Sequence, residues 1–174
     1  MKCLTDSESE QWLLSASMTI NGPDLRPQWP FTTLMTDVPR SLNFSGFAKR
    51  AAGWISDRAE RMLWISNWNT DPPEGLSLFE ASRRGWGENR RLFEAPGHIF
   101  NSPDDSIILA SYCCLILAFN WEGFVVAAKD REFIYLGDEH VVFSSSQSEK
   151  MNEATALRTA FGLKEITSIR QAWT

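Results

Sequence analysis

Three short apolar runs, 124–128, 133–136 and 140–144, are separated by the polar groups Lys129-Asp130-Arg131-Glu132 and Gly137-Asp138-Glu139. Short runs cut by turn-forming residues predict hairpin-connected strands, so 124–144 reads as an antiparallel meander with Asp130 and Asp138 in its turns. Elsewhere the period lengthens. Phe44, Phe47, Ala48, Ala51, Ile55 and Met62 fall on one stripe, with Lys49, Arg50, Asp57 and Glu60 off it. That stripe predicts a helix over 45–61, capped by Asn43 or Ser45. The bulky segment 62–68 comes next as a strand, on which Trp64 and Trp68 share a face with Met62 and Ser66. After the Asn69-Thr70-Asp71-Pro72-Pro73 break, a helix over 73–84 starts at Pro73 and stops at Gly85.

Segment 107–119 is apolar on every side, which suits a buried helix or a central strand. Its length and the preceding Asp104-Asp105-Ser106 favour a helix over 105–118. Ser146-x-x-Glu149 has capping-box spacing and opens a last helix, 147–161, with Met151, Ala154, Leu157 and Phe161 inward and Gly162 closing it. Residues 1–43 are less regular. Ser7-x-x-Glu10 can open a short helix through Trp12, Leu13 and Leu14, and prolines 23, 27, 30 and 39 break up the stretch after it. The segment reads as an irregular arm held against the core by Trp12, Trp29, Phe31 and Leu34. Helices, then strands, then a helix predict a single α+β domain over 1–174: a meander packed with three to five helices.

Composition narrows the function. The 174 residues are 43% apolar, enough for one domain with its own core. Acidic side chains outnumber basic ones 22 to 17, a net charge of −5, which disfavours nucleic acid as a partner. Two histidines and three cysteines, two of them sequence neighbours, are a poor ligand set for zinc, so neither metal nor cofactor is expected. No apolar stretch approaches the roughly 20 residues of a membrane span, and the N-terminus lacks the apolar core of a signal peptide. The expectation is a cytoplasmic protein without membrane contact.

Nucleotide and hydrolase motifs fail. Gly85-Trp86-Gly87-Glu88-Asn89-Arg90 begins like a dinucleotide fingerprint but places Arg90 where the third glycine belongs. Neither a P-loop nor G-x-S-x-G nor H-E-x-x-H occurs. Asn43-Phe44-Ser45 matches a glycosylation acceptor, but without a secretion signal it reads as a helix cap.

The strongest local signal is the segment 80–91, where Arg83, Arg84, Arg90 and Arg91 surround a Trp86 bounded by glycines. Guanidinium groups offer fixed donors and tryptophan a flat face with little entropy to lose, a pairing suited to carboxylates, phosphates or a protein surface. The same arginines also suit a helix end paired with Glu80, Glu88 or Glu94. Eight tryptophans are more indoles than one core of this size readily hides, so some should line a groove or an interface. The expected function is a non-enzymatic binding module of adaptor, inhibitor or neutraliser type, recognising another protein or a small anion through Arg83, Arg84, Trp86, Arg90 and Arg91. Self-association stays open. The alternative is a small enzyme pairing Cys113 or Cys114 with His140, or using Asp138 and Glu139 for acid–base work. Against it, both thiols sit in an uncharged apolar run, and strand alternation sends Glu139 and His140 to opposite faces.

Overall fold

The computed structural model describes residues 1–21, 24–55, 60–68 and 73–167. The N-terminal arm is not irregular. It contains strand β1 (Lys2–Leu4), helix α1 (Asp6–Ser15), the hairpin strands β2 (Met18–Asn21) and β3 (Asp24–Pro27), and strand β4 (Thr32–Asp37). Its capping box is Thr5 with Glu8, not Ser7 with Glu10. The Thr5 hydroxyl accepts from the Glu8 N–H at 3.3 Å, and the Glu8 carboxylate accepts from the Thr5 N–H at 2.7 Å. The prolines do not forbid these strands: Pro27 closes β3, and Pro30 and Pro39 lie between elements. Pro23 lies outside the described residues.

A 3₁₀ turn at Ser41–Asn43 feeds α2 (Phe44–Trp54), whose cap position Asn43 contributes no side-chain bond. The helix expected over 45–61 ends early, because Ile55 is already extended and Arg61 opens strand β5 (Arg61–Asn67). Met62 therefore belongs to β5, opposite Ile99 and Val126, and not to the helical stripe. The physical reason is burial. Residues 61–65 are all hidden, which a central strand with neighbours on both sides and layers on both faces can provide.

Helix α3 (Pro73–Gly85), strand β6 (Gly97–Phe100) and helix α4 (Ser106–Ala118) come next. Segment 107–119 is thus helical. The Asp105 carboxylate caps the preceding turn, accepting from the N–H groups of Asn101 and Ser102, and not the helix. The meander forms as β7 (Glu122–Ala127), β8 (Glu132–Leu136) and β9 (His140–Ser145), with Asp130 and Asp138 in the turns. Helix α5 (Ser148–Ala160) closes at Gly162 with φ +64°, but Ser146 does not cap it. Gln147 takes the cap position, its N–H donating to the Ser145 hydroxyl at 3.0 Å.

Seven strands form one antiparallel sheet in the order β1-β6-β5-β7-β8-β9-β4. Alternation splits the side chains between two cores. Leu63, Ile65, Val125, Ala127, Ile134, Leu136, Val141 and Phe143 meet α2, α3, α4 and α5. Met62, Trp64, Phe124, Val126, Phe133, Tyr135 and Val142 meet α1 and the β2–β3 hairpin. A register irregularity between Ile65 and Asn67 breaks the alternation. Trp64 consequently packs in the second core while Trp68 packs against the first, so the two do not share a face. Beyond α5 the chain returns along β4, where Asp37 N–H donates to Lys164 O and Ile166 N–H to Met35 O, each at 3.0 Å, covering an edge. Among the described residues no helix is long and apolar enough to cross a membrane.

Two caps can be told apart by mutation. Thr5→Ala should cost about 1 kcal/mol in urea unfolding, whereas Ser146→Ala should stay within about 0.5 kcal/mol of the parent chain.

Candidate functional site

The arginine segment lies at the end of α3 and in the connection to β6. Phe79 and Arg83, one helical turn apart, face inward, so the residue placed second in that stripe is an arginine in the core. Arg83 is 0% exposed. Its Nη2 donates to the carbonyl of Ala95 at 2.8 Å, joining the start and end of the loop that carries Trp86. The rest of the guanidinium lies against the Cys3 thiol, which it holds back from a still higher pKa. The helix is closed by Trp86 N–H and Glu88 N–H donating to Arg83 O and by Gly87 N–H donating to Arg84 O. Gly87 adopts φ +84°, a left-handed turn that glycine enters without strain.

The other arginines separate into two kinds. Arg90 is held: its Nη2 lies 2.6 Å and its Nε 2.9 Å from the Glu88 carboxylate, and Nη2 also donates to Cys3 O at 3.1 Å. It thereby closes a carbonyl on the β1 edge. Hydrogen bonds from Arg90 pull the Glu88 carboxyl from its ordinary value near 4.5 down to about 2. Arg84 and Arg91 point outward, Arg84 with only a 3.8 Å contact to Glu80. Trp86 is 54% exposed. It forms a wall of a cleft of about 310 Å³ shared with Lys2, Cys3, Glu8, Glu88 and Arg90. Thus the structure brings Trp86 and Arg90 together with the first residues of the chain, and places Arg83 behind them.

Sequence patterning missed the groups beneath this cleft. Cys3 of β1 pairs across the sheet with His98 of β6, on the face that α3 and α4 cover. The His98 ring is fully buried, 5.4 Å from Phe79 and 5.5 Å from Tyr112, both near perpendicular. The backbone of Leu63 and of Pro96 lies against the ring. Burial first, and the charge of Arg83 second, push its pKa down to about 3, so the ring is neutral. The Cys3 thiol is raised by burial, against the opposing charge of Arg83. No sequence signal pointed here, because the pairing needs β1, a three-residue strand inside the segment read as irregular.

The groups of the alternative reading are kept apart. Cys113 lies in the helix-covered core, its thiol pushed up to about 12 by burial and by Cys114; the half-buried Cys114 is also raised by burial. His140 lies on the other face, its ring 5.1 Å from Tyr135 and its pKa lowered by burial. The seven-stranded sheet therefore separates the thiols from that imidazole. Asp138 and Glu139 are exposed turn residues. Among the described residues, no group of three or more His, Cys, Asp or Glu could hold a metal ion.

His98 makes stability pH-dependent. The unfolded chain takes up a proton near the ordinary value of 6.5 while the folded ring resists it down to about 3. Stability is fully present above 6.5 and falls as pH drops toward 3. His98→Leu should flatten the decline in urea midpoint between neutral and mildly acidic pH; an unchanged slope would place the proton uptake elsewhere.

No protein-family model, no curated protein and no solved structure matches this chain.

Proposed function

We propose that the protein is a binding module whose recognition face is built on the connection between α3 and β6, with Trp86 as its anchor and Arg84 and Arg91 as its outward charges. The observation that carries this reading is the pairing of a 54% exposed indole with a loop fixed at both ends by the buried Arg83. An aromatic held in place loses little freedom on binding, and tryptophan and arginine supply a disproportionate share of interface energy. Arg90 serves the same face indirectly, holding Glu88 and Cys3 in position beside Trp86. The partner class is a carboxylate-rich protein surface or another anion, since the outward guanidinium groups of Arg84 and Arg91 offer donors and no acceptor.

The test uses a fluorescein-labelled hexaglutamate peptide followed by anisotropy at low salt. Trp86→Ala should weaken binding by about tenfold or more. Arg84→Glu combined with Arg91→Glu should abolish it, with urea unfolding nearly unchanged because both side chains are exposed. Binding that ignores all three substitutions, or no binding by the parent chain, would remove the reading.

A further inference from the structure

We propose that a second site, the aromatic pocket at the outer end of β5, takes a proline-rich peptide segment flanked by a basic residue. The pocket, about 320 Å³, is lined by Trp64, Ser66, Trp68, Phe93, Pro96 and Asp6. Among its lining residues Ile65 is 1% and Trp64 7% exposed, whereas Phe93 is 61% exposed. Two polar atoms here, the Trp64 Nε1 and the Ser66 Oγ, are buried and have no hydrogen-bond partner. A buried polar group left in this state destabilises the fold, so an occupant that supplies its partner is favoured.

The chemistry of those groups selects the occupant. An indole N–H only donates and a serine hydroxyl can donate, so the ligand must bring acceptors. Ile65, Trp68, Phe93 and Pro96 make the apolar part of the remaining wall, so it must also bring apolar faces. A polyproline II segment has both: carbonyls along its length, flat pyrrolidine rings, no N–H group to bury unpaired, and little chain entropy to lose. A bare cation held by the aromatic rings would leave the indole donor unanswered. Asp6, exposed in the first turn of α1, gives the segment a carboxylate for a flanking lysine or arginine, on a chain of net charge −5. Solvent does not reach the two polar atoms, so binding requires a pocket wall to shift as the peptide carbonyls enter, and Phe93, 61% exposed, is the wall with room to do so. This site does not use Arg84, Trp86 or Arg91.

The experiment is a proton–nitrogen NMR titration of the full chain with a decaproline peptide ending in arginine. The Trp64 indole resonance, identified by its loss in Trp64→Phe, should move downfield and saturate. Trp64→Phe should weaken binding by about tenfold. Asp6→Asn, an exposed change that leaves the fold intact, should weaken the arginine-ended peptide and not plain decaproline. Arg84→Glu with Arg91→Glu should leave this binding unchanged, which separates it from the anion-binding face. The proposal is overturned if the Trp64 indole stays still up to millimolar peptide. It also falls if a glycine–serine peptide of equal length and charge binds as well, or if tetramethylammonium alone reproduces the shift.

Discussion

The constraint on which the fold depends is that its sheet has to be covered on both sides. Strands β5, β7, β8 and β9 bury almost every residue, and alternate side chains enter two separate cores. A sheet with two apolar faces cannot be satisfied by one layer of helices. Four helices cover the first face, and α1 with the β2–β3 hairpin must cover the second. The N-terminal segment is ordered for that reason, despite its prolines. Gly97 shows how close the second layer sits: a Cβ added there would run into the Ser9 hydroxyl of α1. Ser9 in turn donates to Thr5 O at 2.7 Å, so the first turn of α1 is tied while pressed against β6.

That constraint also explains what the sequence disclosed. The meander was legible because short apolar runs between Lys129-Asp130-Arg131 and Gly137-Asp138-Glu139 leave hairpins as the natural reading. Helices α3, α4 and α5 were legible from period, length and flanking glycines. Residues 1–43 were not, since β1 and β4 acquire their order from partners far along the chain, β6 and β9. The boundary after α2 failed for a related reason. Ile55 and Met62 extend a helical stripe on paper, but Met62 is needed opposite Ile99 and Val126, and a central strand outranks a helical turn. The cap at Ser146 failed locally: the hydroxyl of Ser145 is the one that meets the Gln147 N–H.

The candidate site obeys the same division. An exposed Trp86 between glycines was readable, because nothing about it depends on distant residues. Which arginines face outward was not. Arg83 occupies an inward position of an amphipathic helix, a turn after Phe79, where a hydrophobic residue is ordinarily found. One guanidinium nitrogen holds Ala95 O, and Cys3, a neutral His98 and the more distant Glu88 carboxylate share its surroundings. A buried cation of this kind weakens a fold in which an apolar residue would pack as well. Its compensation is geometric, since the loop from Arg84 to Ala95 starts and ends at one side chain.

The tryptophans carry the same lesson about cost and use. Trp54 and Trp64 are both buried indoles beside phenylalanine rings, at 5.2 Å from Phe143 and 5.9 Å from Phe124. Trp54 donates its N–H to Lys150 O at 2.8 Å, and the Lys150 ammonium returns a bond to Trp54 O at 2.7 Å, so that end of the molecule is closed on itself. Trp64 is as closely packed, stacked on its phenylalanine where Trp54 meets its own edge-on, but its N–H has no such partner. Packing alone therefore does not require the indole nitrogen at 64, where phenylalanine would fill most of the space with nothing left unpaired. An indole in that place makes physical sense if its N–H is answered from outside the chain, and the adjoining Trp68, Phe93 and Asp6 are the surfaces on which such an answer would rest.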